Sequence, residues 1–168
     1  MQSYDVVIIG AGHNGLTCAA YLGMAGLGMF ACAPIKKGQF IARYSGRKID
    51  SDTADELNNK YLFEINARWT IDGSSRRNLA RYINHSCRPN AEPYFVKHVI
   101  KIRAIKNIKP DEEITYNYGR GYFDCFIKAV GCKCIACRKK KAKARAERRK
   151  VLARKRAKAV KSAAKNQK

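Results

Sequence analysis

Three cysteines late in the chain have the spacing of a metal-binding loop. Cys132, Cys134 and Cys137 form the pattern C-x-C-x-x-C. Thiolates spaced this closely can converge on one tetrahedral Zn²⁺ ion. The first apolar run is preceded by an acid and by no Lys or Arg, so we expect no secretion signal. Without such a signal, clustered thiols favour a metal over disulfides.

Two glycine signatures lie within "VVIIGAGHNGLTCAAYLGMAGLGMF", Val6 to Phe30. The first is G-x-G-x-x-G over residues 10–15, which follows a strand-like run at Tyr4–Ile9 and precedes a helical pattern at Leu16–Met24. This order predicts the βα start of a dinucleotide-binding fold. The segment resembles the amino-terminal segment of phytoene-desaturase-like FAD oxidoreductases. Residues 33–40 offer no acid to end a second strand, so we expect a βα appendage without a binding function.

Short strands predict a mainly β domain with little regular helix. In Val99–Ile105, apolar residues alternate with Lys101 and Arg103, which is typical of a half-buried strand. Turn signals lie at residues 72–73 and 110–111. The strand candidates are Gln39–Tyr44, Tyr61–Ile65, Arg68–Ile71, Val99–Ile105 and Glu113–Tyr118.

Positive charge is concentrated at the carboxyl-terminal end. Residues 138–168 hold sixteen Lys and Arg and one acid, Glu147, so they carry +15 of the formal net charge of +22. Their few apolar side chains cannot offset the entropy of ordering, so we expect a tail that is disordered, or helical on binding. Such a tail favours nucleic acid as a partner, because neutralised phosphates release counterions. A solubility tail or a nuclear-localisation signal is the alternative.

An uncharged stretch from Val6 to Ile35 raises the question of a membrane span. It contains six glycines and a histidine, which argue against a transmembrane helix. We therefore expect no membrane association. The length of 168 residues predicts one domain with extensions, and we expect a monomer.

Four motifs, in order along the chain, resemble a known family. They are "GLGMFACAPIKKGQFIARYSGRKI", "RYINHSCRPNAEP", "EEITYNYG" and "CKCIAC". Their order and approximate spacing are similar to those of SET-domain protein lysine methyltransferases with a post-SET segment, over residues 26–137. The resemblance implies a SET fold of small sheets, with a knot-like crossing that brings the segments of Asn84 and Tyr118 together.

The resemblance implies that S-adenosylmethionine is the methyl donor. Gly26 and Gly28, followed by Met29, would bring the main chain close to the donor, because glycine has no Cβ. The side chain of Asn84 and the backbone beside His85 would complete the donor site. The second glycine signature, and not the first, would then bind a cofactor.

The resemblance assigns three tyrosines within these motifs to the channel for the substrate lysine, which accepts the methyl group. By resemblance, Tyr118 is the catalytic tyrosine near the transferred methyl and Tyr44 lines the lysine channel. Tyr116 occupies the position that sets the number of methyl groups, and we expect mainly monomethylation. Methyl transfer needs a neutral amine, and a desolvating channel lowers the pKa of lysine. Aromatic faces attract methylammonium, while hydroxyls hold the amine in line with the methyl.

The resemblance adds a fourth thiolate, Cys87, to the three late cysteines and so implies a structural Cys₄ zinc site. Metal loss should then lower activity as well as stability. Cys18, Cys32 and Cys125 are left over and are expected to be small buried hydrophobes. The family's cysteine cluster more often has four residues between its second and third Cys, whereas this chain has two.

The expected organisation is a βα appendage at residues 1–25, a SET domain at 26–119, a post-SET segment at 120–137 and a basic tail at 138–168. The expected function is methylation of lysines in basic, histone-like or ribosomal proteins. The alternative is a SET protein impaired by its altered start, which acts as a basic nucleic-acid-associated binding module. A flavin oxidoreductase is a distant third. The expected location is a bacterial-type cytoplasm, or the nucleus and chromatin in a eukaryotic setting.

Overall fold

The computed structural model describes residues 7–8, 18–23, 26–57, 59–97 and 99–165, and side chains within 28–158 of these. The chain divides into two compact units, Met1–Gly131 and Cys132–Lys168. The strands of the first unit are β1 (Val7–Ile8), β2 (Cys18–Gly23), β3 (Gly26–Ala31), β4 (Phe40–Tyr44), β5 (Arg47–Asp50), β6 (Leu62–Asn66), β7 (Trp69–Asp72), β8 (Asn84–His85), β9 (Ala91–Val96), β10 (Val99–Ala104) and β11 (Glu113–Tyr116). Its helices are α1 (Ser51–Glu56) and α2 (Arg120–Tyr122), with a 3₁₀ turn at Leu79–Tyr82 and a π-helical turn at Phe123–Ile127.

These strands form three small sheets, which confirms the predicted fold class. Their orders are β1-β2-β3-β11-β8, β4-β10-β9 and β5-β7-β6. Neighbouring strands are antiparallel except β8 and β11, which are parallel, with Asn84 opposite Thr115 and His85 opposite Tyr116. This pairing brings the segments of Asn84 and Tyr118 together.

The hydrophobic core lies between these sheets. Along β10, Ile100 and Ile102 are almost fully buried while Arg103 is exposed, as the alternating pattern predicts. Ile41 of β4 and Ile114 of β11 belong to the same buried cluster. Strands β4 and β11, which end at candidate site tyrosines, are therefore fixed by the core.

Each of the five strand candidates coincides with a strand to within two residues at either end. Strands β3, β5, β8 and β9 and helix α1 lie outside those predictions. The proline at residue 93 argues against a central strand, and β9 is indeed at the edge of its sheet, where Pro93 pairs with Ile102. Helix α1 begins at a capping residue, because the side chain of Asp50 accepts from the N–H of Thr53.

In the predicted βα start, the helix is wrong over the residues that the structure describes, whereas Val7–Ile8 form a strand as expected. Cys18–Gly23, inside the helix predicted at Leu16–Met24, form a strand that pairs antiparallel with both β1 and β3. Backbone pairing across a full six-residue register outweighs the helical pattern of the side chains. The glycines of residues 10–15 and most of Tyr4–Ile9 lie outside the described residues. Strand β2 therefore precedes the second glycine signature.

The second unit contains one long helix, α3 (Ile135–Lys165), of 31 residues. This helix covers most of the segment expected to be a basic tail, and the dependence of its order on a bound partner stays a prediction. Ala, Lys and Arg are strong helix formers, and the helix far exceeds the roughly 12–15 residues below which isolated helices are marginal. All side chains from Arg138 to Lys158 are exposed. Among the described residues, no helix combines the length and apolar character needed to cross a membrane.

Candidate active site

The three tyrosines predicted from the sequence lie along one continuous set of rings in the first unit. The ring centroid of Phe63, on β6, is 5.1 Å from that of Tyr44 and 6.3 Å from that of Tyr116. Tyr116 and Tyr118 are 4.9 Å apart, and Tyr122 stands edge-on to Tyr118 at 4.8 Å. We call these five residues the aromatic wall. Strands from all three sheets contribute to it.

Tyr44 is held from several sides. Its hydroxyl donates to the carbonyl of Tyr61 at 2.7 Å. A Cβ added at Gly73 would lie 2.4 Å from Cε1 and 2.5 Å from the hydroxyl of Tyr44, so only glycine fits there. The buried amide of Asn78 donates to the Gly73 carbonyl and accepts from the N–H of Ser45, each at 3.1 Å. The turn after β7 is therefore fixed against the Tyr44 ring.

Tyr118 is bound to the β8 segment. Its hydroxyl donates to the carbonyl of Ile83 at 2.7 Å, and its N–H donates to Nδ1 of His85 at 3.2 Å. Because Nδ1 accepts, the neutral imidazole carries its proton on Nε2, which lies 3.4 Å from Sγ of Cys87. The side chain of His85 thus links the tyrosine segment to Cys87.

Burial keeps the hydroxyls of the wall neutral. Desolvation raises the pKa of Tyr116 well above its ordinary value, and it also raises the pKa values of Tyr44 and Tyr118. Desolvation likewise lowers the pKa of His85, which favours the uncharged ring. The wall therefore offers hydroxyl groups and π-faces in surroundings that penalise charge. An amine that enters such surroundings loses affinity for its proton.

The second glycine signature lies beside Asn84. Nδ2 of Asn84 donates to Oε1 of Glu113 at 2.9 Å. A Cβ added at Gly28 would lie 3.0 Å from that oxygen and 3.1 Å from Nδ2 of Asn84. We call Gly28, Asn84 and Glu113 the glycine corner. Gly26 begins the same strand, and Met29 is buried in the core behind it.

A second buried amide supports the glycine corner. Nδ2 of Asn90 donates to Oε1 of Glu112 at 3.1 Å and to the carbonyl of Glu113 at 2.9 Å. Its Oδ1 accepts from the N–H of Thr115 at 2.8 Å. Since Thr115 pairs with Asn84, the hydrogen bonds of Asn90 to the backbone of β11 help to fix the parallel pairing of β8 and β11.

The four predicted metal ligands are brought together. The sulfurs of Cys87, Cys132, Cys134 and Cys137 all lie within 4.8 Å of one another. Four thiolates at about 2.3 Å from a tetrahedral zinc ion have sulfurs about 3.8 Å apart. The set therefore fits a structural Zn²⁺ ion, with Nε2–H of His85 directed towards one of the thiolates.

The expectation that the remaining cysteines are buried is wrong for Cys32 and Cys125. Cys32 and Cys125 are exposed, and the side chain of Cys18 lies outside the described residues. Cys32 follows the end of β3 and Cys125 lies in the π-helical turn, so both occupy surface segments. A preference averaged over all free cysteines does not predict such positions.

Three contributors to the site were not among the candidate residues. Phe63 could have been predicted as a core-facing residue, because successive residues of β6 face opposite sides of the sheet and its neighbour Glu64 is exposed. Glu113 lies in the motif EEITYNYG, although nothing in the sequence links it to Asn84. Tyr122 follows the last motif tyrosine in a helical segment and carries no sequence signal.

Three features define the class of protein: a mainly β domain of three small sheets, the parallel pairing of β8 with β11, and the aromatic wall. The SET-domain family model matches residues 26–119. The chain belongs to the SET-domain family.

Its relatives include named enzymes. The Histone-lysine N-methyltransferase Set2 of Drosophila melanogaster is 35% identical over 126 residues, which make up 64% of this chain and 5% of that protein. The Histone-lysine N-methyltransferase ASHH3 of Arabidopsis thaliana is 37% identical over 127 residues, or 64% of this chain and 34% of that protein. The chain thus matches only a small to moderate part of these relatives.

The fold is similar to that of solved complexes. The crystal structure of the Chaetomium thermophilum polycomb repressive complex 2 gives a TM-score of 0.52 at 34% identity, covering 59% of this chain and 14% of that one. The structure of ctPRC2 in an autoinhibited conformation, bound to S-adenosylmethionine, gives 0.50 at 33% identity and covers 58% and 14%.

Proposed function

We propose that this chain is an S-adenosylmethionine-dependent protein-lysine N-methyltransferase. The observation that carries the proposal is the position of Tyr118, which belongs to the aromatic wall and also donates to the carbonyl next to Asn84. The acceptor wall and the glycine corner therefore share one hydrogen-bonded segment. The names of the relatives and the ligand of the ctPRC2 structure support the same activity.

The aromatic wall is suited to prepare a lysine for attack. Its buried rings disfavour the ammonium form, and so they shift the substrate towards the neutral amine that attacks carbon. The hydroxyls of Tyr44 and Tyr118 stay protonated, and their positions are fixed by backbone carbonyls. Fixed hydroxyls can hold the amine in a near-attack position, and such positioning can contribute several kcal/mol to catalysis.

The glycine corner is suited to hold the donor. S-adenosylmethionine, when bound, supplies the activated methyl group. The missing Cβ at Gly28 lets the side chains of Asn84 and Glu113 lie close to this strand, and Glu113 orients the amide of Asn84 by accepting from its Nδ2. Asn84 and the backbone at His85 would bind this donor. The cysteine cluster would hold zinc in a structural role, with no part in the chemistry.

Tyr116 is the residue that we propose limits the degree of methylation. It is buried, and its ring lies between Phe63 and Tyr118. A hydroxyl in this crowded position occupies space that a second methyl group would need. We infer that monomethyl-lysine is the main product.

The basic tail supports a substrate associated with nucleic acid. Helix α3 carries positive side chains on all sides, and its side chains from Arg138 to Lys158 are exposed. It would bind a polyanion through phosphate neutralisation, without reading sequence. Basic proteins bound to the same polyanion, such as histone-like proteins, would be concentrated near the enzyme. The names of the relatives favour chromatin over a bacterial-type cytoplasm as the location.

The tail proposal is tested by comparing the full chain with a variant that lacks residues 139–168. Added DNA should stimulate methylation of an intact basic protein by the full chain only, and the stimulation should decline steeply as salt rises. Turnover of a short isolated peptide should be the same for both. If DNA leaves the full chain unchanged at every salt concentration, the tail serves localisation or solubility instead. Automethylation of the tail lysines is measured in the same reactions.

The alternative function is that of an impaired SET protein that binds nucleic acid without catalysis. Two measurements on one sample distinguish it from the enzyme. Calorimetry reports whether S-adenosylmethionine binds, and mass spectrometry reports whether methyl groups reach lysine. Binding with transfer supports the enzyme. Binding of nucleic acid with neither donor binding nor transfer supports the alternative.

A further inference from the structure

Arg81 contacts Tyr61, a neighbour of the aromatic wall, and has no part in the function described so far. It belongs to the 3₁₀ turn at Leu79–Tyr82. Its guanidinium carbon lies 3.8 Å from the ring centroid of Tyr61 and 5.6 Å from that of Tyr82, and Nη1 donates to the carbonyl of Ser74. One side chain therefore joins a ring on one segment to a backbone carbonyl on another.

The contacts of Arg81 with Tyr61 and Ser74 lead to Tyr44. Tyr61, on which the guanidinium stacks, provides the carbonyl that accepts from the Tyr44 hydroxyl at 2.7 Å. Ser74, to which the guanidinium donates, follows Gly73, whose backbone touches the Tyr44 ring so closely that no Cβ would fit. The two supports of Tyr44 are thus connected to each other through Arg81.

The chemistry of arginine suits this arrangement. A planar guanidinium can stack on an aromatic ring and donate in its own plane at the same time, which neither lysine nor an apolar side chain can do. Within the described part of the chain, Arg81 makes no ion pair, and its Nε is buried without an acceptor. The residue is therefore not anchored by a carboxylate, and its two closest side-chain contacts are with the Tyr61 ring and the Ser74 carbonyl.

We propose that Arg81 is a positioning residue for methyl transfer, which acts by holding Tyr44 in the lysine channel through Tyr61 and the Gly73–Ser74 turn. This inference rests on the proposed function. It assigns Arg81 to the acceptor side, so its removal should lower turnover and leave donor binding intact.

A double-mutant cycle tests the proposal. The variants are Arg81→Met, Tyr44→Phe and the double variant, with Arg68→Met as the matched control, because Arg68 lies over the Trp69 ring at 5.2 Å outside the wall. We expect Arg81→Met to lower kcat about tenfold with an unchanged Kd for S-adenosylmethionine. In the Tyr44→Phe background it should cause little further loss, as expected for residues that act through one another. Arg68→Met should leave kcat unchanged.

Additive losses of kcat in the double variant would overturn the proposal, as would an equal loss for Arg68→Met. If Arg81→Met does not fold, Arg81→Lys replaces it, and retention of full kcat by the lysine variant counts against the role of the planar group. An inactive parent protein would contradict the proposed function instead. In that case the same cycle is measured by denaturant unfolding, where non-additivity between residues 81 and 44 supports the coupling and additivity overturns it.

Discussion

The hydroxyl of Tyr118 donates a hydrogen bond to the carbonyl oxygen of Ile83, 2.7 Å away. Ile83 immediately precedes Asn84, whose amide belongs to the glycine corner. The parallel pairing of β8 with β11 makes this contact possible, because it places two distant segments side by side. A single hydroxyl therefore connects the proposed acceptor wall to the proposed donor site.

Replacing Tyr118 by Phe should separate chemistry from donor binding. We expect a loss of kcat of about a hundredfold, with a Kd for S-adenosylmethionine within about threefold of the parent, since the hydroxyl matters mainly at the reacting centre. The unpaired Ile83 carbonyl should cost about 1 kcal/mol of unfolding free energy. Tyr94→Phe, outside the wall, is the control. Equal losses in turnover and donor binding would refute the assignment.

Replacing Tyr116 by Phe should change the product. Without the hydroxyl, the space beside Phe63 and Tyr118 can accept a methylated amine, so the product should shift from monomethyl- towards di- and trimethyl-lysine. Mass spectrometry of a peptide substrate measures the distribution. Trimethyl-lysine as the main product of the unaltered chain would contradict the role given to this residue.

The glycine corner provides a matched pair of substitutions. In Gly28→Ala the new methyl would lie 3.0 Å from Glu113 and 3.1 Å from Asn84, whereas at Gly121 a Cβ meets nothing within 4 Å. We expect Gly28→Ala to weaken donor binding at least about tenfold, or roughly 1.4 kcal/mol. Gly121→Ala should leave the calorimetric Kd unchanged. Unaffected binding in Gly28→Ala would move the donor site elsewhere.

The cysteine cluster should contain one zinc ion per chain. Cys134→Ser should lower both the zinc content and the melting temperature, by about 5 °C or more, because a tetrahedral site with a missing thiolate binds weakly. Cys125→Ser, at an exposed cysteine outside the cluster, should change neither. Elemental analysis and thermal unfolding measure the two effects. Full stability and activity in metal-free protein would be incompatible with a structural zinc site.

The buried tyrosines should make the fold sensitive to alkali. Burial raises the folded-state pKa values of Tyr44 and Tyr116 above the ordinary value of 10.0, so the folded state keeps protons that the unfolded chain releases. The contribution of these tyrosines to the free energy of unfolding is therefore fully present below about pH 10. Above that pH it falls by up to about 1.4 kcal/mol per pH unit for each tyrosine. Denaturant unfolding from pH 8 to 11 measures this. Tyr44→Phe should flatten the decline, and an equal slope in that variant would contradict the account.

Some features could be predicted from the sequence because they depend on local patterns. The alternation of apolar and charged residues predicts strand β10, and the second glycine signature predicts a close approach at Gly28. The helix expected at Leu16–Met24 failed because pairing with β3 decides the conformation of Cys18–Gly23, and pairing is not a local property. The contact between Arg81 and the Tyr61 ring likewise joins two elements and leaves no periodic trace in the sequence.

Mass spectrometry of intact basic proteins after incubation with isotopically labelled S-adenosylmethionine tests the central claim most directly. The zinc-loaded full chain is used with histones and a DNA fragment, from pH 7 to 9. We expect label on lysine side chains, mainly as single methyl groups, with Tyr118→Phe transferring almost none. If the parent chain binds the labelled donor but transfers no methyl group to any lysine at any of these pH values, it is not a lysine methyltransferase.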